Sequence, residues 1–371
     1  MITKLTLRNF KCFNHLNTIE LGKINLLTGS NGRGKSSFLQ SLLLLAQSME
    51  TDRRLLNHIE LNGRFLELGN FEDICYRLTN EKTPTISFAT DDTEENDITV
   101  ELYPHQSKQR WANIKSLMVS GRELVEKTAS AKGDELKGNA LGATSAIAGL
   151  AQLADVYFIS ADRRGPTDYV KKDDNGDDRQ VGIHGEFLVN ALYRRDDAFM
   201  QELAQETSAI LSGATVKVVE TQTDYLRFYL DSANGTEGFR PSNVGFGYSY
   251  VLPIVTTLLL AECGAKVFIE NPEAHLHPGA QSRLMNFMVK NAVDKDIQLF
   301  IETHSDHIIN ALRIGVLEKF VERCDARIIH FNRENTADPT PYQIKIDSQG
   351  QLSDYPQEFM DEWGIQMSQL V

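Results

Sequence analysis

The chain has 371 residues, of which 41% are hydrophobic and 24% charged, as expected for a globular protein with a buried core. Its formal net charge of −13 argues against a generally basic surface that coats DNA, and leaves only local basic patches open. No apolar run approaches membrane-spanning length and residues 1–5 do not begin a signal peptide, so we expect a cytoplasmic protein with no membrane partner. Four scattered cysteines without a C-x-x-C pair are typical of reduced thiols.

The first motif along the chain is a phosphate-binding loop at residues 29–36, with the sequence GSNGRGKS. A strand-like segment (24–28) precedes it and a helix-like segment (37–45) follows, which is the context that such a loop requires. The loop's backbone N–H groups and the helix N-terminus favour phosphate, a lysine reaches the β- and γ-phosphates, and a serine hydroxyl binds Mg²⁺. We therefore predict ATP and Mg²⁺ as cofactors, with Ser36 as a metal ligand. The residues predicted to bind ATP here are Asn31, Gly32, Arg33, Gly34, Lys35, Ser36 and Ser37.

The segments around this loop predict an α/β core that is divided by an insertion. Strand patterns occur at 86–88 and 98–102, a helical pattern spans 185–212, and further strands are expected at 215–219 and 226–230. No long heptad run occurs. The predicted parts are the N-terminal half of the core with the phosphate loop (1–50), an insertion (51–155), the remainder of the core (156–335) and a C-terminal tail (336–371).

Two predicted strands in the second half of the chain end in polar residues. The strand at 266–270 ends in Glu270, and an acidic residue at that place is the Walker B arrangement that holds Mg²⁺ directly or through water. The strand at 298–301 runs towards His304, whose imidazole can hydrogen-bond a γ-phosphate or an attacking water. We predict Glu270, Glu273 and His304 as catalytic residues, with Glu270 also a metal ligand.

A Ser/Gly-rich segment at 242–249 precedes these strands and begins a predicted helix. Such a helix start binds anions, so Gly245 and Gly247 are predicted to bind the nucleotide. Whether Ser242 or Ser249 would offer a hydroxyl to the γ-phosphate stays open.

The order of these motifs resembles that of ABC-type ATPases of the SMC/OLD-like branch, as does the opening strand with Asn9, Phe10 and Phe13. Residues 269–278 (IENPEAHLHP), 244–247 and 355–361 are similar to those of short bacterial ATPases, related to the ATPase of the Septu antiphage system, that carry a C-terminal domain of unknown function. The resemblance implies an α/β P-loop ABC-type ATPase head with a mixed sheet, a β/α insertion and no long coiled coil. It also implies a homodimer or higher even oligomer, in which each signature segment completes the partner's ATP site.

Two departures from the family pattern affect the chemistry. Gly245-Phe246-Gly247 takes the place of the L-S-G-G-Q signature. Asn271 stands where the branch carries its catalytic glutamate, and a carboxamide cannot act as a general base. Either Glu273 supplies the base, or hydrolysis is slow and the protein is a switch held by ATP. His275 and His277 could form a metal pair, but the resemblance places them at the D-loop of the dimer interface, which is the interpretation we prefer.

The function implied by these motifs is ATP hydrolysis by a dimer that regulates a partner effector, a nuclease or toxin encoded nearby, in bacterial antiphage defence. The alternative is a DNA-repair or chromosome-handling ATPase that binds DNA directly, against which the missing coiled-coil arms count. Nucleic acid is therefore not excluded as a partner, but the net charge does not favour it. In the tail, Phe359, Trp363 and Met367 either anchor the effector or pack onto the core.

Overall fold

We describe the fold from a computed structural model of the chain. The described residues are 1–49, 58–91, 97–105, 110–126, 137–138, 149–150, 152–173, 179–222, 224–232, 238–332, 340–356 and 359–370.

The chain divides into two compact units. Unit 1 comprises Met1–Val156, Arg327–Lys345 and Ser353–Val371, and unit 2 comprises Tyr157–Ala326 and Ile346–Leu352. The four-part division predicted from the sequence rests on motifs rather than on packing, and it stays a prediction.

Both units contain strands and helices. The strands are β1 (Ile2–Phe10), β2 (Phe13–Glu20), β3 (Ile24–Gly29), β4 (His58–Glu60), β5 (Thr85–Thr90), β6 (Asp97–Pro104), β7 (Trp111–Val119), β8 (Arg122–Glu126), β9 (Lys137–Gly138), β10 (Val156–Ile159), β11 (Tyr169–Lys171), β12 (Ala214–Glu220), β13 (Tyr225–Ser232), β14 (Lys266–Glu270), β15 (Gln298–Glu302), β16 (Ala326–Asn332) and β17 (Thr340–Ile344). The helices are α1 (Lys35–Met49), α2 (Phe71–Ile74), α3 (Leu188–Tyr193), α4 (Asp197–Leu211), α5 (Phe246–Leu260), α6 (Pro278–Asp294), α7 (Asp306–Leu317) and α8 (Glu362–Gln369).

Unit 1 is built on an antiparallel sheet with the strand order β2-β1-β5-β6-β7-β8-β9, in which β4 also pairs with β7. Alternate residues of β6 are buried, as are Leu5, Leu7 and Asn9 of β1, which is the pattern of a sheet with one face on a core. Strand β5 pairs directly with β1, so the strands of the predicted insertion extend a sheet that begins at the N-terminus.

A second set of strands in unit 1, with the order β3-β16-β17, supports the phosphate loop. Strand β3 is buried through Thr28, as expected for a strand covered on both faces. Helix α1 follows the loop, and its apolar side chains, among them Phe38, Leu39 and Leu42, are fully buried. The predicted strand–loop–helix arrangement is confirmed, with the helix beginning two residues earlier than the sequence indicates.

Unit 2 places β14 between β10 and β15, and β14 pairs with β15 in parallel. Helices α3 to α7 belong to this unit, and the helical pattern at 185–212 divides into α3 and α4. A separate antiparallel sheet has the order β11-β13-β12. Among the described residues the longest helix is α6, with 17 residues, so no helix there has the length of a coiled-coil arm. The predicted mixed α/β class is confirmed.

Candidate functional site

The phosphate loop of unit 1 has a backbone that only glycine tolerates at two positions. Gly29 has φ = 120°, and a Cβ atom there would lie 2.2 Å from the carbonyl oxygen of Phe331. Gly34 has φ = 109°, and its Cβ would lie 2.7 Å from the ring of Phe13. Gly32 also has a positive φ, of 74°, but a Cβ there would meet open space. The loop therefore combines a tightly packed base with an open middle, as close approach of a phosphate requires.

Lys35 is buried, and its ammonium group is held by the loop itself. The Nζ atom donates to the carbonyl oxygens of Gly29, at 2.8 Å, and Ser30, at 3.1 Å. The cation is thus positioned across the loop, where it fits an incoming phosphate. Ser36 and Ser37 are half-buried in the first turn of α1, so the hydroxyl predicted for Mg²⁺ lies on an ordered helix.

The other predicted loop residues differ in exposure. Asn31 and Gly32 are exposed, and Arg33 is half-buried. Within the part of the chain that the structure describes, the buried Nε atom of Arg33 has no hydrogen-bond partner. A buried guanidinium nitrogen without an acceptor is costly, so an anionic ligand beside this loop would compensate it.

Two successive side-chain contacts support the residue that precedes the phosphate loop. Thr28, the residue before Gly29, hydrogen-bonds through Oγ1 to Nδ1 of the buried His330 at 3.0 Å. The ring of Phe359 packs edge-on against that imidazole, with centroids 5.0 Å apart. Phe359 is buried and so belongs to the core of unit 1 rather than to an exposed anchor, whereas Met367 is exposed. The side chain of Trp363 lies outside the described part of the chain.

In unit 2, Glu270 stands at the carboxyl end of β14 and is half-buried. Its Oε2 atom accepts hydrogen bonds from the backbone N–H of Ala161, at 3.0 Å, and the hydroxyl of Ser160, at 3.4 Å. Among the described residues, Oε1 accepts no hydrogen bond. The carboxylate is thus oriented through one oxygen, and the other is available to a cation, which fits the predicted role as an Mg²⁺ ligand.

Arg163 fixes the backbone at this strand end. Its Nη1 donates to the carbonyl oxygen of Glu270 at 2.9 Å, and its Nη2 donates to that of Asn271 at 2.5 Å. The guanidinium lies 5.1 Å from the ring centroid of Tyr250, and only 2% of the residue is exposed. Desolvation lowers the pKa of Arg163 to about 10, so the side chain stays charged at neutral pH. An arginine in this sequence context could contact phosphate or nucleic acid or form a surface ion pair, and its burial rules out the surface ion pair.

Asn271, which the family resemblance predicts to stand at the general-base position, has an unusual environment. Its φ is 44°, in the left-handed region, and its N–H donates to the carbonyl oxygen of Glu302 at 2.8 Å. Its Oδ1 atom is buried and accepts no hydrogen bond from any residue that the structure describes. A buried carboxamide oxygen without a donor calls for a water molecule or a ligand hydroxyl, which it could orient but not deprotonate.

Glu273 uses both carboxylate oxygens to hold the end of β15. Oε2 accepts from the hydroxyl of Thr303 at 2.9 Å, and Oε1 accepts from the backbone N–H of His304 at 2.8 Å. His304 is exposed just beyond β15, and Glu273 positions its backbone. The structure therefore brings two of the three predicted catalytic residues into contact, through the backbone of the histidine.

The N-terminus of α5 carries the predicted signature segment. Gly245 is the N-cap with φ = −59°, and a Cβ atom there would meet nothing within 4 Å. A Cβ at Gly247 would lie 3.1 Å from the carbonyl oxygen of His275, so this glycine permits close packing. Ser249 is buried, and Ser242 donates through Oγ to the carboxylate of Asp168 at 2.8 Å. At this helix start, the backbone at Gly245 therefore has open space beside it.

The two histidines predicted to belong to the D-loop have different environments. His275 has φ = 61°, and its ring packs edge-on against Tyr250 with centroids 4.5 Å apart. His277 caps α6, since its Nδ1 accepts from the N–H of Gly279 at 3.3 Å. Searched over the described residues, the structure has no group of three or more His, Cys, Asp or Glu side chains that could hold a metal ion.

Sequence reasoning missed three residues of this site: Ser160, Ala161 and Thr303. Each contacts Glu270 or Glu273, from which it is separated by more than 25 residues in the sequence. Their only local signal is position, because each follows or ends a buried strand at the edge where the acidic residues also stand.

Comparison with known proteins identifies relatives of this chain. Residues 24–310 match the family described as "AAA domain, putative AbiEii toxin, Type IV TA system", and residues 324–370 match "Protein of unknown function (DUF3696)". No curated protein sequence matches the chain.

Solved structures of SMC heads share the fold. One is an SMC head bound to the C-winged helix domain of ScpA, at 14% identity and a TM-score of 0.55, covering 93% of this chain and 98% of the other. Another is the Pyrococcus furiosus head with an extended coiled coil bound to the C-terminal domain of ScpA, at 12% identity and a TM-score of 0.54, covering 93% and 96%. The predicted ABC-type head fold is therefore confirmed. Across the described residues, no helix is both long and apolar enough to cross a bilayer.

Proposed function

Because the chain belongs to the AAA-domain family that includes the putative AbiEii toxin, and so is a P-loop ATPase, we propose that it is a slow ATPase whose ATP-bound form dimerises and controls a partner protein. The observation that carries this proposal is the pairing of an intact phosphate loop with asparagine at the general-base position. The loop retains ATP, while the asparagine limits how fast it is hydrolysed.

The phosphate loop is proposed to bind the β- and γ-phosphates through the backbone of residues 31–37 and through Lys35. The ammonium of Lys35, now bound to two loop carbonyls, would transfer to phosphate oxygens, which are stronger acceptors because they are charged. The helix α1 adds its partial positive charge at the same place.

Mg²⁺ would neutralise phosphate charge, with the Ser36 hydroxyl and Glu270 as its protein ligands. The hydrogen bonds from Ala161 and Ser160 to Oε2 orient Glu270. Such support of a ligand by its neighbours fixes the direction in which the carboxylate presents its remaining oxygen.

Slow turnover follows from the contacts of Asn271 and Glu273. Asn271 can orient water through Oδ1 but cannot accept its proton. Glu273 could accept a proton, yet both of its oxygens already accept hydrogen bonds from Thr303 and His304. We therefore assign Glu273 to positioning His304, whose imidazole is proposed to sense the γ-phosphate.

The dimer is proposed to form when α5 of one protomer meets the nucleotide of the other. The N–H groups at Gly245 would bind the γ-phosphate, because the helix start is open there and carries partial positive charge. This assignment needs no hydroxyl, and it agrees with the hydrogen bond that Ser242 donates to Asp168 and with the burial of Ser249.

Changing Gly245 to aspartate tests this dimer. The carboxylate should repel the γ-phosphate and abolish ATP-dependent dimerisation, while as an N-cap it should raise the free energy of unfolding by about 0.5 kcal/mol. The φ of −59° suits any residue, so the substitution introduces no strain. Light scattering with and without ATP measures the first effect, and thermal unfolding measures the second.

The matched control is Gly245→Asn, which caps the helix equally well without a charge and should still dimerise. If the aspartate variant dimerises with ATP like the wild type, the proposed contact is wrong. Gly247→Asp is a poorer test, because a side chain there also approaches the His275 carbonyl.

A protein partner is proposed on the exposed apolar side chains of α8. Ile365 and Met367 are exposed, and Leu370 just beyond the helix is 80% exposed, so three large apolar side chains close together in sequence lie at the surface. The family description names a toxin and a TA system, which supports a partner-regulated role in bacterial defence. The partner would be an effector, a nuclease or toxin, encoded beside this chain.

Co-purification of the tagged chain with the products of its neighbouring genes tests this partner. We expect one neighbour to co-purify, and Ile365→Ser together with Leu370→Ser to release it without changing ATP affinity. Purified chain that cleaves nucleic acid by itself in the presence of ATP would contradict the assignment.

A further inference from the structure

The small sheet of unit 2 exposes a face rich in tyrosine and basic side chains, and we propose that this face binds single-stranded nucleic acid. The inference is independent of the ATP site. We call this surface the tyrosine face, and its residues are Tyr169, Lys171, Lys217, Tyr225, Arg227 and Tyr229.

Strand register brings these side chains together. Tyr169 of β11 pairs with Arg227 of β13, and Lys171 pairs with Tyr225. On the other side of β13, Tyr229 pairs with Lys217 of β12. Cross-strand partners project from the same face of a sheet, so the tyrosines and cations alternate across one surface.

The opposite face of β13 already supplies the core. Leu226, Phe228 and Leu230 are buried, with at most 4% of each residue exposed. Tyr225 and Tyr169 are 47% and 42% exposed, so their rings are left in solvent although aromatic residues are well suited to burial. Exposed aromatic clusters of this kind mark interaction sites more often than scattered single residues do.

Arg227 organises the centre of the tyrosine face. Its guanidinium carbon lies 5.2 Å from the ring centroid of Tyr169, and its Nη1 donates to the Tyr229 hydroxyl at 3.4 Å. A groove of about 660 Å³ follows this surface and is lined by Tyr225 as well. Planar groups are thus arranged around an open groove, as stacking of unpaired bases requires.

The local charge favours a polyanion in spite of the net charge of −13. Lys171, Lys217 and Arg227 are exposed on the tyrosine face. Glu220 also lines the groove, but its carboxylate is bound by Lys172 at 2.8 Å, so its charge is compensated. Rings that stack with bases beside cations that contact phosphates are the combination that single strands bind, whereas a duplex hides its base faces.

Fluorescence anisotropy of the full chain with labelled (dT)₂₀ and (U)₂₀, without ATP, tests the proposal. We expect both strands to bind, and the double variant Tyr169→Ala with Tyr225→Ala to raise Kd about a hundredfold, from about tenfold per lost stacking ring. Arg227→Ala should raise Kd about tenfold. The difference between the DNA and RNA arms identifies which strand is preferred.

Three controls keep the test specific. Tyr169→Phe with Tyr225→Phe retains both rings and should bind like the wild type. Tyr355→Ala removes an exposed tyrosine of unit 1 and should also leave Kd unchanged. ATP affinity, measured on the same preparations, should be equal in all variants, which separates this proposal from the proposed ATPase function.

Several results would overturn the proposal. One is that neither (dT)₂₀ nor (U)₂₀ binds, and another is that a 20-base-pair duplex binds as tightly as the single strands. A third is that the double alanine variant keeps full affinity. A fourth is that polyglutamate competes with the labelled strand as well as an unlabelled single strand does. The last result would instead make the tyrosine face a surface for acidic protein.

Discussion

Replacing Lys35 with alanine is expected to weaken ATP binding about a hundredfold, since charge-assisted hydrogen bonds to phosphate are each worth about 1.5–3 kcal/mol. The sequence alone suggests that this change touches no packing. The structure shows the ammonium bound to the carbonyl oxygens of Gly29 and Ser30, so a small loss of stability is also expected.

Calorimetry and thermal unfolding together check this expectation. At an ATP concentration of 100 times Kd, the wild type should gain about 2.7 kcal/mol of stability, and the variant should gain almost none. Lys4→Ala, which removes an exposed lysine of the same unit, is the control and should behave like the wild type. Undiminished ATP affinity in the Lys35 variant would contradict the assignment of the loop.

Replacing Asn271 with glutamate is expected to raise the rate of ATP hydrolysis about a hundredfold, because a positioned general base contributes about 10²–10⁴-fold. The left-handed φ of 44° suits asparagine better than glutamate, so we also expect about 1 kcal/mol lower stability. Phosphate release under steady-state conditions measures the rate.

Asn271→Gln is the matched control. Glutamine is as long as glutamate and should lower the stability equally at this φ, but its carboxamide cannot accept a proton. This variant should hydrolyse ATP no faster than the wild type. If neither variant is faster and Glu273→Gln alone stops hydrolysis, then Glu273 is the base and the switch proposal is wrong.

The sequence predicts the strand–loop–helix of the phosphate site and the acidic strand end closely. Strand β14 has the predicted bounds, because a short apolar run that ends in a carboxylate has few other interpretations. Strands β7 and β11 were not predicted from their residues. Strand β11 has only three residues, and such a short strand depends on its neighbour β13 rather than on its own pattern.

The site's supporting contacts could not be predicted, because they depend on long-range packing. Arg163 looks like one of two surface arginines in the sequence, yet it is buried on the carbonyls of Glu270 and Asn271. Likewise, nothing local to Glu273 indicates that Thr303 and His304 occupy its oxygens. Sequence motifs therefore identify the residues of the site, while three-dimensional contacts determine which carboxylate is available for catalysis.

The most direct test of an ATP-held switch is the mass of the wild-type protein followed over time after addition of ATP and Mg²⁺. We predict that the mass rises from that of the 41.7 kDa chain to twice that value, and that the dimer persists for about one turnover time before ADP returns it to a monomer. A mass that is the same with ATP, with ADP and without nucleotide would contradict the account.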